Sequence, residues 1–327
     1  WWDYITGGIA GMSDPSAWFI IFALMCILCV AVGVDRGIEK LSKILMPALL
    51  IMIICITAYE LTLPGIWDGI VFYLNPDVSK LGGGTILGAI SQIFYSMSLA
   101  MGIMITYGSY MRRDISIEKS SRNIGFIDTV VAILAGMMIV PSAYVMGLGD
   151  SQGMGLMFVA LPQVFEQMPA GDFVAPIFYL LVLFAALTSA VSLLETVVSV
   201  FVDLKELRRK KALLIASIIL IVLGMVSVLG FGPLNIDIGA FDQGAGWLGV
   251  FDTLTNSIMM PIVAFLTCIF VGYVIKVSTV TDEVEAEGQT FKFKVPFGYM
   301  MKFICPICLV AILVFGLLDM FGIFTVY

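Results

Sequence analysis

Histidine is missing from this 327-residue sequence, and charged side chains are scarce: Lys, Arg, Asp and Glu together make up 13% of the residues. The lack of histidine excludes histidine acid–base catalysis and histidine metal ligation. The low charge excludes an ordinary water-soluble domain, in which about a quarter of the residues are charged. Hydrophobic residues make up 60% of the chain and the mean hydropathy is +1.05, so the composition predicts an integral membrane protein.

Cysteine is present but in an apolar context. Two pairs, Cys26/Cys29 and Cys305/Cys308, have the C-x-x-C spacing that indicates redox or metal chemistry in a soluble chain. Here the neighbours are Ile, Leu, Met and Val, so we interpret all six cysteines as small apolar residues that face lipid or other helices.

Long apolar runs dominate the chain. A membrane-spanning helix needs about 20 mostly apolar residues. Eight segments meet this requirement: 16–34, 41–63, 85–110, 126–148, 173–201, 212–231, 251–275 and 298–325. The sequence therefore predicts an all-α membrane protein with about eight transmembrane helices.

Lys and Arg occur almost entirely in alternate connections, those after the first, third, fifth and seventh segments, and the other connections hold only Lys80. Because basic loops stay in the cytoplasm, these four connections are predicted inside, and both ends of the chain outside. The chain opens on Trp1-Trp2-Asp3 instead of a methionine. We interpret it as a fragment whose N-terminal part is missing.

The predicted outer connection at 149–172 is apolar for a loop, with Leu156, Phe158, Leu161 and Phe165 among its residues. A short helix that folds back onto the protein would bury these side chains. We therefore expect such a helix here.

Polar residues cluster inside two of the predicted spans. Ser96 and Ser98 lie in the third, and Thr188, Ser189 and Glu195 in the fifth. Polar groups in a span face the protein interior or a water-filled path. Each hydroxyl alone could instead bond to its own helix, and Glu195 could make a structural hydrogen bond to a neighbouring helix. Paired hydroxyls and freed carbonyls together suit a hard cation such as Na⁺.

Four motifs carry a family resemblance: GVDRGIEKLSKILMP, GAISQIFYSMSLAMGIMITYGSYMRRD, GLMFVALPQVFEQMP and FAALTSAVSLLE, in that order. They resemble the neurotransmitter:sodium symporter family in its bacterial, leucine-transporter-like branch. The resemblance covers essentially the whole chain, from the loop before the family's fourth helix to its eleventh.

The resemblance implies an inverted-repeat fold with a broken helix at the bilayer midplane, here at residues 95–101. It assigns residues 1–84 to the end of the first repeat, 85–278 to the second repeat and 279–327 to the final helix. It also implies sodium-coupled symport of an amino acid in the bacterial cytoplasmic membrane. The expected partners are the amino acid and lipid, not nucleic acid, and no enzymatic activity is expected.

The resemblance also assigns residues to sites. Substrate-binding positions are Tyr95, Ser96, Ser98, Met101 and Leu193. Sodium-ligand positions are Ser96, Asp128, Ala185 (through its carbonyl), Thr188 and Ser189. Inner-gate positions are Tyr110 and Asp203, and Asp252, at the start of the seventh span, is the acidic half of the outer gate. Tyr95, Met101 and Leu193 predict a pocket for neutral hydrophobic or aromatic amino acids.

Two positions depart from the family pattern. Ala132 occupies a position that the family fills with Glu or Ser and that is tied to chloride use, and Asp128 stands where Asn is usual. Because a carboxylate at Asp128 could supply the negative charge, we expect sodium but no chloride as the coupled ion. Alternatively, Asp128 caps the start of its helix.

Two other functions compete with transport. The sequences GLGD at 147–150 and PAL at 47–49 are reminiscent of aspartyl intramembrane proteases, but such an enzyme needs two facing carboxylates that share a proton. GLGD lies at the outer end of the fourth predicted span, PAL precedes it instead of following it, and the sequence has no Tyr-Asp pair. A non-transporting membrane subunit is the remaining alternative.

Overall fold

A computed structural model of the chain describes residues 15–75, 78, 81–145, 147, 155–231, 234, 236–237, 239 and 246–320. The regular secondary structure of these residues consists of helices, and they contain no strand. The α-helices are α1 Pro15–Val32, α2 Lys40–Glu60, α3 Ile66–Leu74, α4 Gly83–Ser96, α5 Ile103–Tyr110, α6 Ile117–Val145, α7 Leu161–Gln167, α8 Gly171–Lys205, α9 Arg209–Gly230, α10 Gly246–Asp252, α11 Met260–Ile269, α12 Val277–Val284, α13 Lys294–Tyr299 and α14 Cys305–Met320. The predicted all-α fold is confirmed.

Several helices continue through short π-helical segments: Val34–Glu39, Leu156–Ala160, Thr253–Met259, Phe270–Val274 and Met300–Ile304. Counted through these segments, seven helices within the described residues are long and apolar enough to cross a membrane: Pro15–Val32, Gly37–Glu60, Ile117–Val145, Gly171–Lys205, Arg209–Gly230, Gly246–Val274 and Lys294–Leu318. They correspond to seven of the eight predicted spans. The eighth, 85–110, is present as α4 and α5, each too short to cross alone.

Two helices begin at least five residues earlier than the hydropathy predicts. α6 begins at Ile117 instead of residue 126, and the seventh span begins at Gly246 instead of 251. The added part of α6 reads IEKSSRNIG, with Glu118 in the first turn. A carboxylate there favours the helix N-terminus, whereas a hydropathy window registers only the apolar part of the helix.

The chain forms two compact units. One comprises residues 1–27, 81–124 and 193–327, and the other comprises residues 28–80 and 125–192. This division does not follow the boundaries at 84 and 278 expected from the repeats, because each unit gathers segments that are distant in sequence. The repeat assignment concerns topology, and it stays a prediction.

The core of the second unit is built by α2, α6, α7 and the first part of α8. Ile53, Met138, Val164 and Phe178, one from each of these helices, are buried in a single cluster. The predicted fold-back helix is therefore confirmed: α7 buries Leu161, Val164 and Phe165 in this core, whereas Phe158, which precedes it, stays exposed. Its burial explains why the connection is so apolar.

The core of the first unit lies between α11 and α14. Ala264, Cys268 and Leu309 are buried there, and Phe94 of α4 and Cys305 pack against them. Thus two of the cysteines lie in an apolar cluster, as expected, and both are free thiols.

Gly69 of α3 should be indispensable for packing in the second unit. A Cβ at this position would lie 2.5 Å from the carbonyl oxygen and 2.7 Å from Cα of Pro141 in α6. Because these are backbone atoms, a Gly69→Ala variant should lose about 1–3 kcal/mol of stability through overpacking. Gly83→Ala is the control, since a Cβ there meets no atom within 4 Å. Equal melting temperatures of the two purified variants would contradict this packing.

Candidate functional site

The third predicted span is interrupted in its middle. α4 ends at Ser96 and α5 begins at Ile103, so residues 97–102 are not helical. The expected break at 95–101 is confirmed, one to two residues further along. In lipid every backbone polar group must find a partner inside the protein. A break within an apolar span is thus energetically costly, and such breaks are typical of binding sites in membrane proteins.

The backbone of the break is strained. Ser98 and Ala100 have φ of 53° and 62°, in the left-handed region, and Gly102 has φ of 79°. A non-glycine residue in this region costs roughly 1–2 kcal/mol, and strain of this kind clusters at functional sites. Gly102 also approaches α8 closely, since a Cβ there would lie 2.9 Å from the methyl group of Thr196.

The five positions assigned to the substrate lie in the first unit, and four of them are at or directly before this break. Tyr95 and Ser96 end α4 and are exposed, Ser98 and Met101 are half-buried in the break, and Leu193 is an exposed residue of α8. The hydroxyl of Ser96 bonds to the Ile93 carbonyl of its own helix at 3.4 Å. Both the polar and the apolar members of the predicted pocket are therefore accessible in the described chain.

The sodium-ligand positions of α8 lie in the second unit. The Thr188 hydroxyl is buried and donates to the carbonyls of Phe184 and Ala185, at 3.2 and 3.0 Å. Ala185 is half-buried and Ser189 is exposed. The Thr188 hydroxyl thus bonds to its own helix, which was the alternative to a sodium ligand. A hydroxyl that donates its proton nevertheless keeps its lone pairs available for a cation. Hydroxyl and carbonyl oxygens without soft ligands fit a hard cation such as Na⁺.

The buried acid Glu195 of α8 has two partners in the first unit. Arg209, the first residue of α9, donates from Nη1 to Oε1 at 2.8 Å and from Nη2 to Oε2 at 2.7 Å. Tyr110, the last residue of α5, donates its hydroxyl to Oε1 at 3.0 Å. The Glu195 side chain is fully buried and that of Arg209 is 39% exposed. We call Tyr110, Glu195 and Arg209 the Glu195 cluster.

The Glu195 cluster ties three helices together. A bidentate guanidinium–carboxylate pair is among the stronger charged contacts in proteins, and it satisfies both oxygens of a carboxylate that would otherwise be buried without a partner. Nearby, the buried hydroxyls of Thr106 in α5 and Ser199 in α8 are hydrogen-bonded at 3.2 Å. The second half of the broken helix is thus held to α8 at two points.

Sequence reasoning identified Glu195 and Tyr110 but missed Arg209. Arg209 belongs to the basic run Arg208–Lys211, which was interpreted only as a cytoplasmic loop. The signal that could have found it is the connection between α8 and α9, which contains only residues 206–208. A hairpin this short returns the chain beside the helix it has just left.

Asp128 does not cap its helix, so that alternative was wrong. It lies eleven residues, about three turns, after the first residue of α6. Asp128 is half-buried, and Ala132 follows on the same face, one turn further along. The prediction placed Asp128 at a helix start because hydropathy did not register the polar first part of α6.

The two gate acids have different surroundings. Asp252 is exposed and is not at the start of its span as expected: it ends α10, just before the π-helical segment Thr253–Met259, and accepts a hydrogen bond from Asn256 at 2.6 Å. Asp203 is exposed near the end of α8. Most of GLGD lies outside the described residues.

The fold is similar to that of a solved transporter. The crystal structure of MhsT in complex with L-phenylalanine matches with a TM-score of 0.82 and 35% identity, over 96% of this chain and 70% of that one. The likeness thus covers nearly all of the present chain.

Proteins with similar sequences are also named as transporters. An uncharacterized sodium-dependent transporter of Bacillus subtilis, YhdH, is 32% identical over 294 residues, which are 90% of this chain and 64% of the relative. One from Haemophilus influenzae is 32% identical over 302 residues, 91% of this chain and 64% of the relative. The chain thus spans just under two thirds of the length of these curated relatives. Since the family model for sodium:neurotransmitter symporters also matches residues 4–324, the chain belongs to the sodium:neurotransmitter symporter family.

Proposed function

We propose that the full-length protein is a sodium-coupled symporter of neutral, hydrophobic or aromatic amino acids that works by alternating access. The observation that carries the proposal is the strained break at residues 97–102, in the middle of an otherwise apolar span. The first-turn N–H donors of α5 supply polar contacts for a zwitterionic substrate.

Sodium would be held in part by the Ala185 carbonyl and the hydroxyls of Thr188 and Ser189. Sodium supplies the electrochemical driving force for uptake. The contribution of α8 is structural: the Thr188 proton is fixed on the helix backbone, so its lone pairs point away from those carbonyls. The relatives' names support sodium dependence.

The substrate class follows from the side chains near the break. Tyr95, Met101 and Leu193 offer an aromatic ring and two flexible apolar groups, and none of the three carries a charge that would bind a charged side chain. The L-phenylalanine in the similar MhsT structure supports this choice.

The Glu195 cluster is proposed as part of the inner gate, together with Asp203. It joins α5, the second half of the broken helix, to α8 and α9. Separation of α5 from α8 would remove Tyr110 from a buried carboxylate and expose Glu195 to water. The basic connections support placement of this end at the cytoplasmic face of a bacterial inner membrane, with both chain ends outside.

The proposed transport is tested with the full-length gene product in liposomes. An inward sodium gradient should drive uptake of labelled leucine, and unlabelled Leu, Phe or Trp should compete while Glu and Lys do not. Leu193→Ala should change the relative competition by Trp and Leu at least about tenfold, because it removes three carbon atoms and a single methylene in an apolar pocket already has an effect of this size.

Leu204→Ala is the matched control, since Leu204 is an exposed residue of the same helix. Uptake that is unaffected when potassium replaces sodium would exclude sodium coupling. Competition by Glu or Lys in place of Leu and Trp would exclude the proposed substrate class.

The gate proposal predicts a coupled effect of two charges. Arg209→Met should cost about 3 kcal/mol, because it leaves the Glu195 carboxylate buried without compensation, and should lower the melting temperature by several degrees. The double variant Glu195→Gln/Arg209→Met should recover most of this stability but not wild-type transport. Arg208→Met, at the exposed neighbouring position, should behave as wild type; a double variant no more stable than Arg209→Met would contradict the pairing.

Chloride independence is proposed from Asp128 and Ala132. Uptake should be unchanged when gluconate replaces chloride at constant sodium, because the Asp128 carboxylate supplies the negative charge. Asp128→Asn combined with Ala132→Ser should make uptake depend on chloride, whereas Ala132→Ser alone should not. Collapse of wild-type uptake in gluconate would refute the proposal.

A further inference from the structure

Three oxygen-bearing side chains are buried together at the end of α2 in the second unit. Thr57 and Glu60 of α2 are 7% and 3% exposed, and Ser142 of α6 is 2% exposed. Thr57 and Glu60 are three residues apart and share one helix face. Ser142 is the polar side chain that neighbours the Glu60 carboxyl.

These groups are short of hydrogen bonds. Within the part of the chain that the structure describes, Thr57 Oγ1, Glu60 Oε2 and Ser142 Oγ complete none. Buried polar atoms are nearly always paired in proteins. Three buried oxygens without hydrogen-bond partners, one of them from a carboxyl group, therefore indicate a ligand or proton site.

No cation faces this site among the described residues. Glu60 interacts with no other charged group, and the nearest basic side chain of its helix, Lys43, lies 17 residues, about 26 Å, away along the axis. The acids on the neighbouring elements are all exposed: Asp68 of α3, Glu166 of α7 and Asp172 of α8. The Tyr59 hydroxyl accepts the Ala170 N–H at 3.1 Å, and Tyr144 of α6 is exposed.

The surroundings are apolar and tightly packed. Ile56, Met138, Phe165 and Met168 are buried in the adjoining core cluster. Gly69 brings the backbone of α3 against Pro141, the residue before Ser142. An ionised carboxylate in this position would lose its hydration without gaining a counter-charge, which is strongly unfavourable.

We propose that Glu60 is a proton-binding site: its carboxyl group is protonated, and a small side-chain rotation lets the acid proton bond to the hydroxyl of Ser142 or Thr57. A proton requires one acceptor, which either hydroxyl supplies. A sodium ion would require several more oxygens than this set of three side chains provides. Its three residues are not among the proposed sodium or substrate positions, and the inference does not depend on the proposed transport.

Proton binding is linked to packing of this end of α2. If α2 and α6 separate around Glu60, water reaches the side chain, its proton passes to water and a carboxylate remains. The packed arrangement therefore binds the proton more tightly than the separated one. By linkage, the packed arrangement is favoured at low pH and loses stability as the pH rises above the ordinary titration range of a glutamate.

Infrared difference spectroscopy of the purified full-length protein tests the proposal without measuring transport. At neutral pH the wild type should show the C=O band of a protonated carboxylic acid that is missing from Glu60→Gln. Glu166→Gln, the same change at an exposed position, should leave this band in place. Ser142→Ala should shift the band, because it removes an acceptor, and this variant serves if Glu60→Gln does not fold.

The melting temperature provides a second readout. Between about pH 5 and about pH 9, above the ordinary glutamate value of about 4.3, it should fall more steeply for wild type and Glu166→Gln than for Glu60→Gln. An identical carboxylic-acid region in wild type and Glu60→Gln would show that Glu60 is ionised and would overturn the proposal. Loss of the band on replacing choline by sodium would identify a sodium site instead and would equally overturn it.

Discussion

The lipid environment imposes one constraint on this chain from which most of its structure follows: polar groups within the spans must be satisfied by the protein. Continuous helices meet this demand with their own backbone. The chain departs from it at residues 97–102, where two non-glycine residues adopt positive φ. Packing holds this strained segment in place: Ala100 packs against the core of the first unit, and Gly102 packs against Thr196.

The same constraint acts more severely on charges. Glu195 is fully buried and is compensated by a bidentate arginine and a tyrosine hydroxyl. This compensation uses residues from three helices, so a local electrostatic requirement becomes a tertiary one. The helices cannot separate at this point without exposing the acid or leaving it unpaired. A buried ion pair of this kind stabilises one arrangement and makes the alternative depend on water entry.

Local patterns in the sequence were enough to predict the spans and the fold-back helix α7, because each depends on the length and position of apolar runs. Motif resemblance supplied the break and the assignments of individual residues. Hydropathy could not locate the polar start of α6, and so placed Asp128 at a helix end. It also could not pair Arg209 with Glu195, because that contact depends on how α9 turns back beside α8.

Three acids on helices of this chain illustrate why burial alone does not determine what a carboxylate does. Glu195 has a guanidinium within hydrogen-bonding distance and can remain charged. Glu60 is almost as deeply buried, but among the described residues it faces two hydroxyls and apolar side chains, so neutralisation by a proton is the less costly state. Asp128 lies between these two cases, because it is only half-buried. All three residues carry the same carboxyl group, and the burial of each acid and the charge that faces it determine whether the acid is ionised or neutral.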